Sequence, residues 1–151
     1  MKTNGQTILI VDDNFDDRFL MERALKCMAT GLVAQFVPSG NDAVAYLDGS
    51  GIYADRARFP YPSFVITDLD MPRGDGFTVL RHIQDLAPAL LPVMVLSDSQ
   101  DPDRMQRAHE LGANIFCTKP NDPRALPAMI STFLHPDSPE SVERLIPLRV
   151  H

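Results

Sequence analysis

Short runs of consecutive apolar residues alternate along the chain with longer segments in which apolar residues recur at helical spacing. Five of the short runs are rich in β-branched residues and predict strands. Residues 8–11, 64–67 and 93–96 read ILIV, FVIT and VMVL, and such unbroken runs are typical of strands covered on both faces of a parallel sheet. The predicted strands are Thr7–Asp12, Leu32–Val37, Ser63–Asp68, Pro92–Ser97 and Asn114–Thr118.

The segments between the runs predict helices. The last segment has the clearest amphipathic stripe, formed by Leu126, Met129, Ile130, Phe133 and Leu134. Either Pro123 or Pro127 is expected to begin this helix, because proline is tolerated in a first turn, and Gly112 is expected to end the helix before it. The predicted helices are Asp16–Met28, Asn41–Leu47, Gly76–Leu86, Pro102–Leu111 and Leu126–Leu134.

The order of these elements is (βα)5, which predicts an α/β fold with a doubly wound, five-stranded parallel sheet and helices on both faces. Two segments fall outside the alternation. Asp48–Pro62 is a long connection rich in Gly, Pro, Tyr and Arg, and residues 135–151 form a tail with an apolar cluster.

Composition narrows the possible functions. A chain of 151 residues with 44% hydrophobic residues is expected to form one globular domain. Its net charge of −6 argues against nucleic-acid binding, which needs a basic face. Its apolar runs are too short to cross a membrane and its first residues do not resemble a signal peptide, so a cytoplasmic location is expected.

Polar residues follow the predicted strands, at the edge where doubly wound sheets bind ligands. Asp12 and Asp13 end the first strand, Asp68 the third and Ser97 the fourth, and Lys119 follows the fifth. Each residue alone is more often a turn former, a helix cap or a surface charge. These structural roles do not explain why all of the residues occur together at one edge, so the combination indicates a functional site.

Three carboxylates at one edge require either a cation or protonation. Two unit charges about 4 Å apart repel by roughly 4 kcal/mol at an effective dielectric constant of 20. Mg²⁺ fits such a cluster best, with Mn²⁺ as an alternative, because it takes oxygen ligands and keeps several waters. The ion would also screen an incoming phosphoryl group from the carboxylate that attacks it. Lys119 would pair first with a carboxylate and then with phosphoryl oxygens, to which Ser97 would donate a hydrogen bond.

The residues at this edge carry a family resemblance. The chain resembles the receiver domain of two-component response regulators over residues 6–134, through the stretches ILIVDDNFDDRFL, FVITDLDMPRGDGFTVL, VMVLSDSQDPDRMQRAHELGA and NIFCTKP. The resemblance implies a flavodoxin-like fold with strand order 2-1-3-4-5. It also implies a phosphoacceptor switch rather than an enzyme, although a receiver promotes its own phosphorylation and slow autodephosphorylation. Residues 135–151 remain as a tail, with no separate output domain expected.

The resemblance assigns roles to the polar residues at the site. Asp68 corresponds to the phosphoacceptor, and it is expected to bind the metal together with Asp12, Asp13 and the backbone carbonyl of Asp70. Ser97 corresponds to the hydroxyl that contacts the phosphoryl group. The invariant-type lysine is Lys119, and the residues expected to shape the surrounding loops are Met71, Pro72, Gly76 and Pro120.

The resemblance also predicts how phosphorylation is transmitted. Phosphate on Asp68 is expected to draw Ser97 inward, so that the ring of Phe116 turns from the surface into the interior. One position departs from the family pattern, because Asp98 stands where receivers usually have Ala or Gly. A charge there is expected to alter access to the phosphoryl site.

The expected partner is a sensor histidine kinase or a histidine phosphotransfer protein. The stretch VDDNFDDRFL, the insertion with GIYA and the apolar tail resemble small regulators paired with bacterial phytochrome kinases, so a phytochrome-type kinase is a candidate. The tail either folds back on its own domain or forms a homodimer. Its apolar residues are Leu145, Ile146, Leu148 and Val150.

Other classes of protein fit less well. A haloacid-dehalogenase-type phosphatase also uses an Asp-x-Asp motif, which Asp68 and Asp70 satisfy, but in that family the nucleophile strand comes first, whereas Asp12 and Asp13 lie upstream here. A DNA-binding regulator would need a longer segment after Leu134. A degenerate receiver that takes no phosphate has only Asp98 in its favour.

Overall fold

The structure, a computed structural model, describes residues 5–86 and 91–136, and strands and helices alternate through this part of the chain. None of its helices combines the length and the apolar character needed to cross a membrane. The strands are β1 (Thr7–Val11), β2 (Val33–Val37), β3 (Phe64–Asp68), β4 (Val93–Ser97) and β5 (Ile115–Thr118). The α-helices are α1 (Phe15–Met28), α2 (Gly40–Asp48), α3 (Gly76–Leu86), α4 (Pro102–Glu110) and α5 (Leu126–Leu134).

The five strands form one parallel sheet in the order β2-β1-β3-β4-β5. The predicted fold class and strand order are therefore confirmed. The register brings the carboxyl ends of the strands to one edge, because Val11 lies beside Thr67, and Ser97 lies beside Thr118. The residues that end or directly follow β1, β3, β4 and β5 therefore lie close together at that edge.

Both faces of the sheet are buried, which explains the unbroken apolar runs of the central strands. In β1, Leu9 and Val11 belong to the core under α2 and α3, whereas Ile8 and Ile10 belong to the core under α1 and α5. All four residues are at most 1% exposed. Since burial of an aliphatic side chain contributes about 1.5–3 kcal/mol, this central strand is a main source of stability.

The predicted boundaries of the strands and helices agree with the structure to within one residue at every end. Helix α1 begins at Phe15, because the side chain of Asn14 accepts a hydrogen bond from the amide of Asp17 and caps the helix. Gly112, with φ of 101°, follows the end of α4 as predicted. Both candidate prolines take part at α5, since Pro123 opens a short 3-10 helix and Pro127 lies in the first turn.

The connection between α2 and β3 has more order than its sequence predicts. The connection contains a 3-10 helix, Gly51–Ala54. Arg56, which follows that helix, makes most of the hydrogen bonds that order the connection. The guanidinium of Arg56 donates to three backbone carbonyls, those of Tyr46 (2.8 Å), Leu47 (2.9 Å) and Phe59 (3.1 Å). The hydroxyl of Tyr46 donates to the carbonyl of Pro60 at 2.7 Å. These bonds fasten the connection to the end of α2.

Candidate functional site

The backbone fixes the segments that leave the carboxyl edge of the sheet. The amide of Asp12 donates to the carbonyl of Val37 at 3.1 Å, and the amide of Lys119 donates to the carbonyl of Ser97 at 2.8 Å. The sheet ladder thus continues one residue past β1 and β5. Asp12 is held level with Asp68, the last residue of β3, and Lys119, which directly follows β5, lies two residues past that level.

Three carboxylates meet at this edge, as the sequence predicted. Asp12, Asp13 and Asp68 each offer an oxygen, and these oxygens lie within 4.8 Å of one another. Asp12 and Asp68 are buried, whereas Asp13 is exposed. An all-oxygen cluster that is open on one side fits a hard divalent ion that keeps part of its water shell. The donor set therefore suits Mg²⁺ or Mn²⁺.

Lys119 pairs with three carboxylates rather than with one. Its Nζ lies 2.7 Å from Asp17, 3.2 Å from Asp68 and 3.5 Å from Asp12. The pairing with Asp68 agrees with the sequence prediction, but Asp17 was not among the predicted site residues. The available signal was its position in the first turn of α1, whose start faces the acid cluster.

Burial and charge act in opposite directions on the acids of the site. Burial raises the pKa of Asp12 to about 6, although the amide of Asn14 and the charge of Lys119 oppose the shift. Burial also raises the pKa of Asp68, again against Lys119. Burial alone would lower the pKa of Lys119, but its bond to Asp17 and the nearby carboxylates raise it, so the lysine stays protonated. One ammonium therefore pairs with three carboxyl groups, those of Asp12, Asp17 and Asp68, while Asp13 adds a fourth carboxyl group beside them, and the excess negative charge favours cation binding.

The backbone around Asp68 leaves little free space. The Leu69 amide donates to Oδ1 of Asp68 at 2.7 Å, while Oδ2 faces Lys119. A Cβ added to Gly76 would lie 2.7 Å from the carbonyl oxygen of Asp68, so a glycine is needed where α3 starts. The amide of Gly76 in turn donates to the carbonyl of Leu69 at 2.8 Å.

Comparison with known proteins identifies the family. The model of the response regulator receiver domain matches residues 8–131. The chain belongs to the response regulator receiver domain family. The resemblance found in the sequence is thereby confirmed.

Individual relatives of this receiver domain cover most of its length. Response regulator Rcp1 from Synechocystis sp. is 31% identical over 127 residues, which are 83% of this chain and 84% of Rcp1. The crystal structure of the phosphorylated cyanobacterial phytochrome response regulator RcpA has 29% identity and a TM-score of 0.77, and the match covers 88% of this chain and 96% of RcpA.

A third relative is longer than the receiver domain. The chain is 30% identical over 113 residues to a protein-glutamate methylesterase from Geobacter sulfurreducens, but it spans only 27% of that protein. The likeness therefore concerns only a part of that enzyme.

A metal ion occurs in a solved relative of this receiver domain. The crystal structure of Rcp1 in its Mn²⁺-bound form is 30% identical, with a TM-score of 0.75, and the match covers 88% of this chain and 96% of that one. A divalent ion therefore suits the family as well as the donor set of Asp12, Asp13 and Asp68.

The residues expected to shape the loop after β3 lie in different environments. The side chain of Asp70 pairs with Arg104 of α4 and so lies apart from the three gathered carboxylates. Met71 packs against the core, Pro72 is exposed, and Pro120 lines a cavity of about 320 Å³ together with Asp17 and Lys119.

The two predicted switch residues are both buried. Ser97 has no exposed surface, and its hydroxyl accepts a hydrogen bond from the amide of Ser99 at 3.1 Å. The expectation that Phe116 starts at the surface is wrong for this structure, since the residue is 6% exposed and belongs to the core cluster that also contains Ala108 of α4. An apolar ring on this strand needs no water, so the inward position is favourable without phosphate. Asp98 is exposed.

Proposed function

We propose that Asp68 accepts a phosphoryl group from a phosphohistidine, and that Asp12, Asp13, Asp68 and the backbone carbonyl of Asp70 hold the Mg²⁺ ion. The observation that supports this most strongly is the gathering of three carboxylate oxygens within 4.8 Å, with Lys119 3.2 Å from Asp68. Isolated acids at strand ends do not need a half-buried ammonium between them.

Each side chain of the site has a part in the transfer. The Leu69 amide orients Asp68 by binding Oδ1, and a carboxylate oxygen of Asp68 forms a P–O bond as the P–N bond of the phosphohistidine breaks. Lys119 then donates to the phosphoryl oxygens. A bound Mg²⁺ ion supplies charge screening between the carboxylate and the phosphoryl group. Slow attack of water on the acyl phosphate returns the domain to its starting state.

The signal leaves the site through a shift between two states. Ser97 donates to a phosphoryl oxygen and gives up its contact with the Ser99 amide. The ring of Phe116 lies inside already, so phosphorylation stabilises this inward arrangement over an outward one and does not create it. The ligand shifts the two populations only by its differential affinity for them. The face formed by α4, β5 and α5 is the surface that changes.

Intact-mass analysis with acetyl phosphate and Mg²⁺ tests this function. One phosphoryl adduct is expected on the wild-type chain and none on Asp68→Asn or after chelation of the metal. Asp16→Asn, which removes a carboxylate from the exposed side of α1, serves as the charge-matched control and keeps the adduct. Equal labelling of Asp68→Asn would refute the assignment. A separate NMR experiment on the wild-type chain tests the switch. Chemical shifts of Phe116 that stay unchanged when beryllofluoride is added would refute it.

The proposed partners are a phytochrome-type histidine kinase or a histidine phosphotransfer protein in the cytoplasm, together with a second copy of this chain. The likeness to the phytochrome response regulator RcpA supports a phytochrome-type kinase as partner, since the match covers 88% of this chain.

The candidate contacts of the homodimer lie outside the described residues. They are the tail residues Leu145, Ile146, Leu148 and Val150. Sedimentation of the full chain against one ending at Leu134 tests the dimer. A full chain that stays monomeric at tens of micromolar, with and without beryllofluoride, rules it out.

A further inference from the structure

Asp17 makes the shortest contact with the lysine of the site. We propose that Asp17 is a positioning residue that holds Lys119 back in the unphosphorylated receiver domain and thereby slows phosphoryl transfer to Asp68. The inference rests on the proposed function, because it concerns the lysine that serves the phosphoacceptor.

The three contacts of Lys119 differ in length and in exposure. The Nζ–Oδ2 distance is 2.7 Å to Asp17, against 3.2 Å to Asp68 and 3.5 Å to Asp12. The side chain of Asp17 is 35% exposed, whereas those of Asp12 and Asp68 are 8% exposed. Asp17 therefore binds the ammonium from the solvent side of the site, and the two buried carboxylates bind it from within.

The position of Asp17 is fixed by a chain of hydrogen bonds. The amide of Asn14 donates to Asp12 Oδ1 at 2.9 Å, and the Asn14 side chain accepts from the amide of Asp17 at 3.0 Å. The first turn of α1 is thereby tied to the same carboxylate that Lys119 contacts. Asp17 thus presents its charge to Lys119 from a held backbone.

The three acids respond differently when a divalent ion binds. Asp12 and Asp68 belong to the cluster that can hold the ion, so the ion neutralises much of their charge. Asp17 is outside that cluster among the described residues and keeps its full charge. An ammonium has three N–H donors, and all three are directed at carboxylates. A phosphoryl oxygen must therefore displace one of them, and Asp17 is the partner that competes most strongly.

The surroundings allow Lys119 to change partners. A cavity of about 320 Å³ borders Asp17, Lys119 and Pro120. Two buried carboxylates already hold the ammonium near Asp68, so Asp17 is not needed to bring it there. Removing the charge of Asp17 therefore frees Lys119 for the phosphoryl oxygens and favours phosphorylation.

Rates of phosphorylation by acetyl phosphate with Mg²⁺ test the proposal. Asp17→Asn keeps the shape and the backbone cap, and we expect phosphorylation about three- to fivefold faster, the change that one partly exposed ion pair produces. Asp17→Glu keeps the charge and should stay near the wild-type rate. Asp16→Asn removes an equal charge from the adjacent, exposed position and should also leave the rate unchanged. Thermal unfolding establishes that each variant is folded.

Two further readouts separate positioning from a structural role. In the metal-free protein, the ¹⁵N NMR signal of the Lys119 ammonium should shift in Asp17→Asn and not in Asp16→Asn. In a Lys119→Met background, Asp17→Asn should no longer accelerate phosphorylation, because the lysine through which it acts is absent.

The outcomes separate this inference from the proposed function. A labelled wild-type chain in which Asp17→Asn is slower or unchanged overturns the inference alone, as does an unmoved Lys119 signal. Acceleration that persists without Lys119 also overturns it, since general repulsion would then be the cause. A wild-type chain that takes no phosphoryl group overturns the proposed function and the inference together.

Discussion

Lys119 and Arg56 each donate to three oxygen atoms, but the oxygens are of different kinds. Lys119 meets three carboxylates, at 2.7–3.5 Å, all of them on side chains. Arg56 meets three backbone carbonyls, at 2.8–3.1 Å, and its guanidinium also lies 5.8 Å and 5.7 Å from the ring centroids of Tyr46 and Tyr61. The first cation lies among charges and the second among neutral dipoles and aromatic rings.

The difference indicates what each region can do. Carboxylates can be protonated, bind a metal ion or acquire a phosphoryl group, so the partners of Lys119 change with the state of the site. Backbone carbonyls change only if the chain moves, and the rigid guanidinium of Arg56 matches their fixed directions. We therefore interpret Lys119 as part of a site that rearranges and Arg56 as the fastening of a static connection.

Exchanging each cation for methionine should separate the two roles, and this is the largest effect that we predict. Lys119→Met should lower the rate of phosphorylation by about a hundredfold, since a preorganised donor to the phosphoryl group is lost. Arg56→Met should lower the free energy of unfolding by about 2 kcal/mol, because three part-buried carbonyls each lose a hydrogen bond. Its phosphorylation rate should stay within about twofold of wild type while it is folded.

Each exchange has a matched control on an exposed side chain. Lys26→Met removes an α1 lysine whose salt bridge to Glu22 is on the surface, and Arg58→Met removes a neighbouring arginine of the connection. Both should change stability by less than about 0.5 kcal/mol. A normal phosphorylation rate for Lys119→Met, or wild-type stability for Arg56→Met, would remove the distinction between the two regions.

A smaller effect is predicted for pH, and only at the acid site. The pKa of Asp12 is raised to about 6 in the folded protein, so folding favours its protonated form. In the metal-free protein this contribution to stability is present below the unfolded pKa and disappears as the pH rises through about 6. Mg²⁺ binds the ionised form, so it should stabilise the protein more at pH 7.5 than at pH 5.

Thermal unfolding with and without Mg²⁺ measures this effect. At pH 7.5 and a Mg²⁺ concentration roughly ten times the Kd, we expect a stabilisation of about 1.4 kcal/mol. Asp13→Ala should abolish it, because Asp13 is the exposed member of the acid cluster. Equal stabilisation by Mg²⁺ at pH 5 and pH 7.5 would contradict the assignment of Asp12 to the metal site.

Much of the fold and of the acid site could be predicted because both follow from regular patterns. A strand buried on both faces requires an unbroken apolar run, and residues 8–11 and 93–96 show this directly. The meeting of Asp12 and Asp68 follows from parallel strands that end at one edge. No long-range contact had to be known in advance.

The remaining features depend on contacts that leave no periodic signal. Arg56 orders its connection through carbonyls several residues away, and nothing in its neighbours distinguishes it from Arg58. Asp17 resembles any acid in the first turn of a helix until α1 is placed beside Lys119. The inward position of Phe116 depends on how tightly its ring packs in the core, which the sequence pattern does not specify.

The central claim is that Asp68 carries the phosphoryl group, and mapping the acyl phosphate tests it most directly. After phosphorylation with acetyl phosphate and Mg²⁺, borohydride reduces an aspartyl phosphate to homoserine, which peptide mass spectrometry can locate. We predict homoserine at position 68 and at no other acid of the site. Homoserine at Asp12, Asp13 or Asp70 with Asp68 intact would contradict the account.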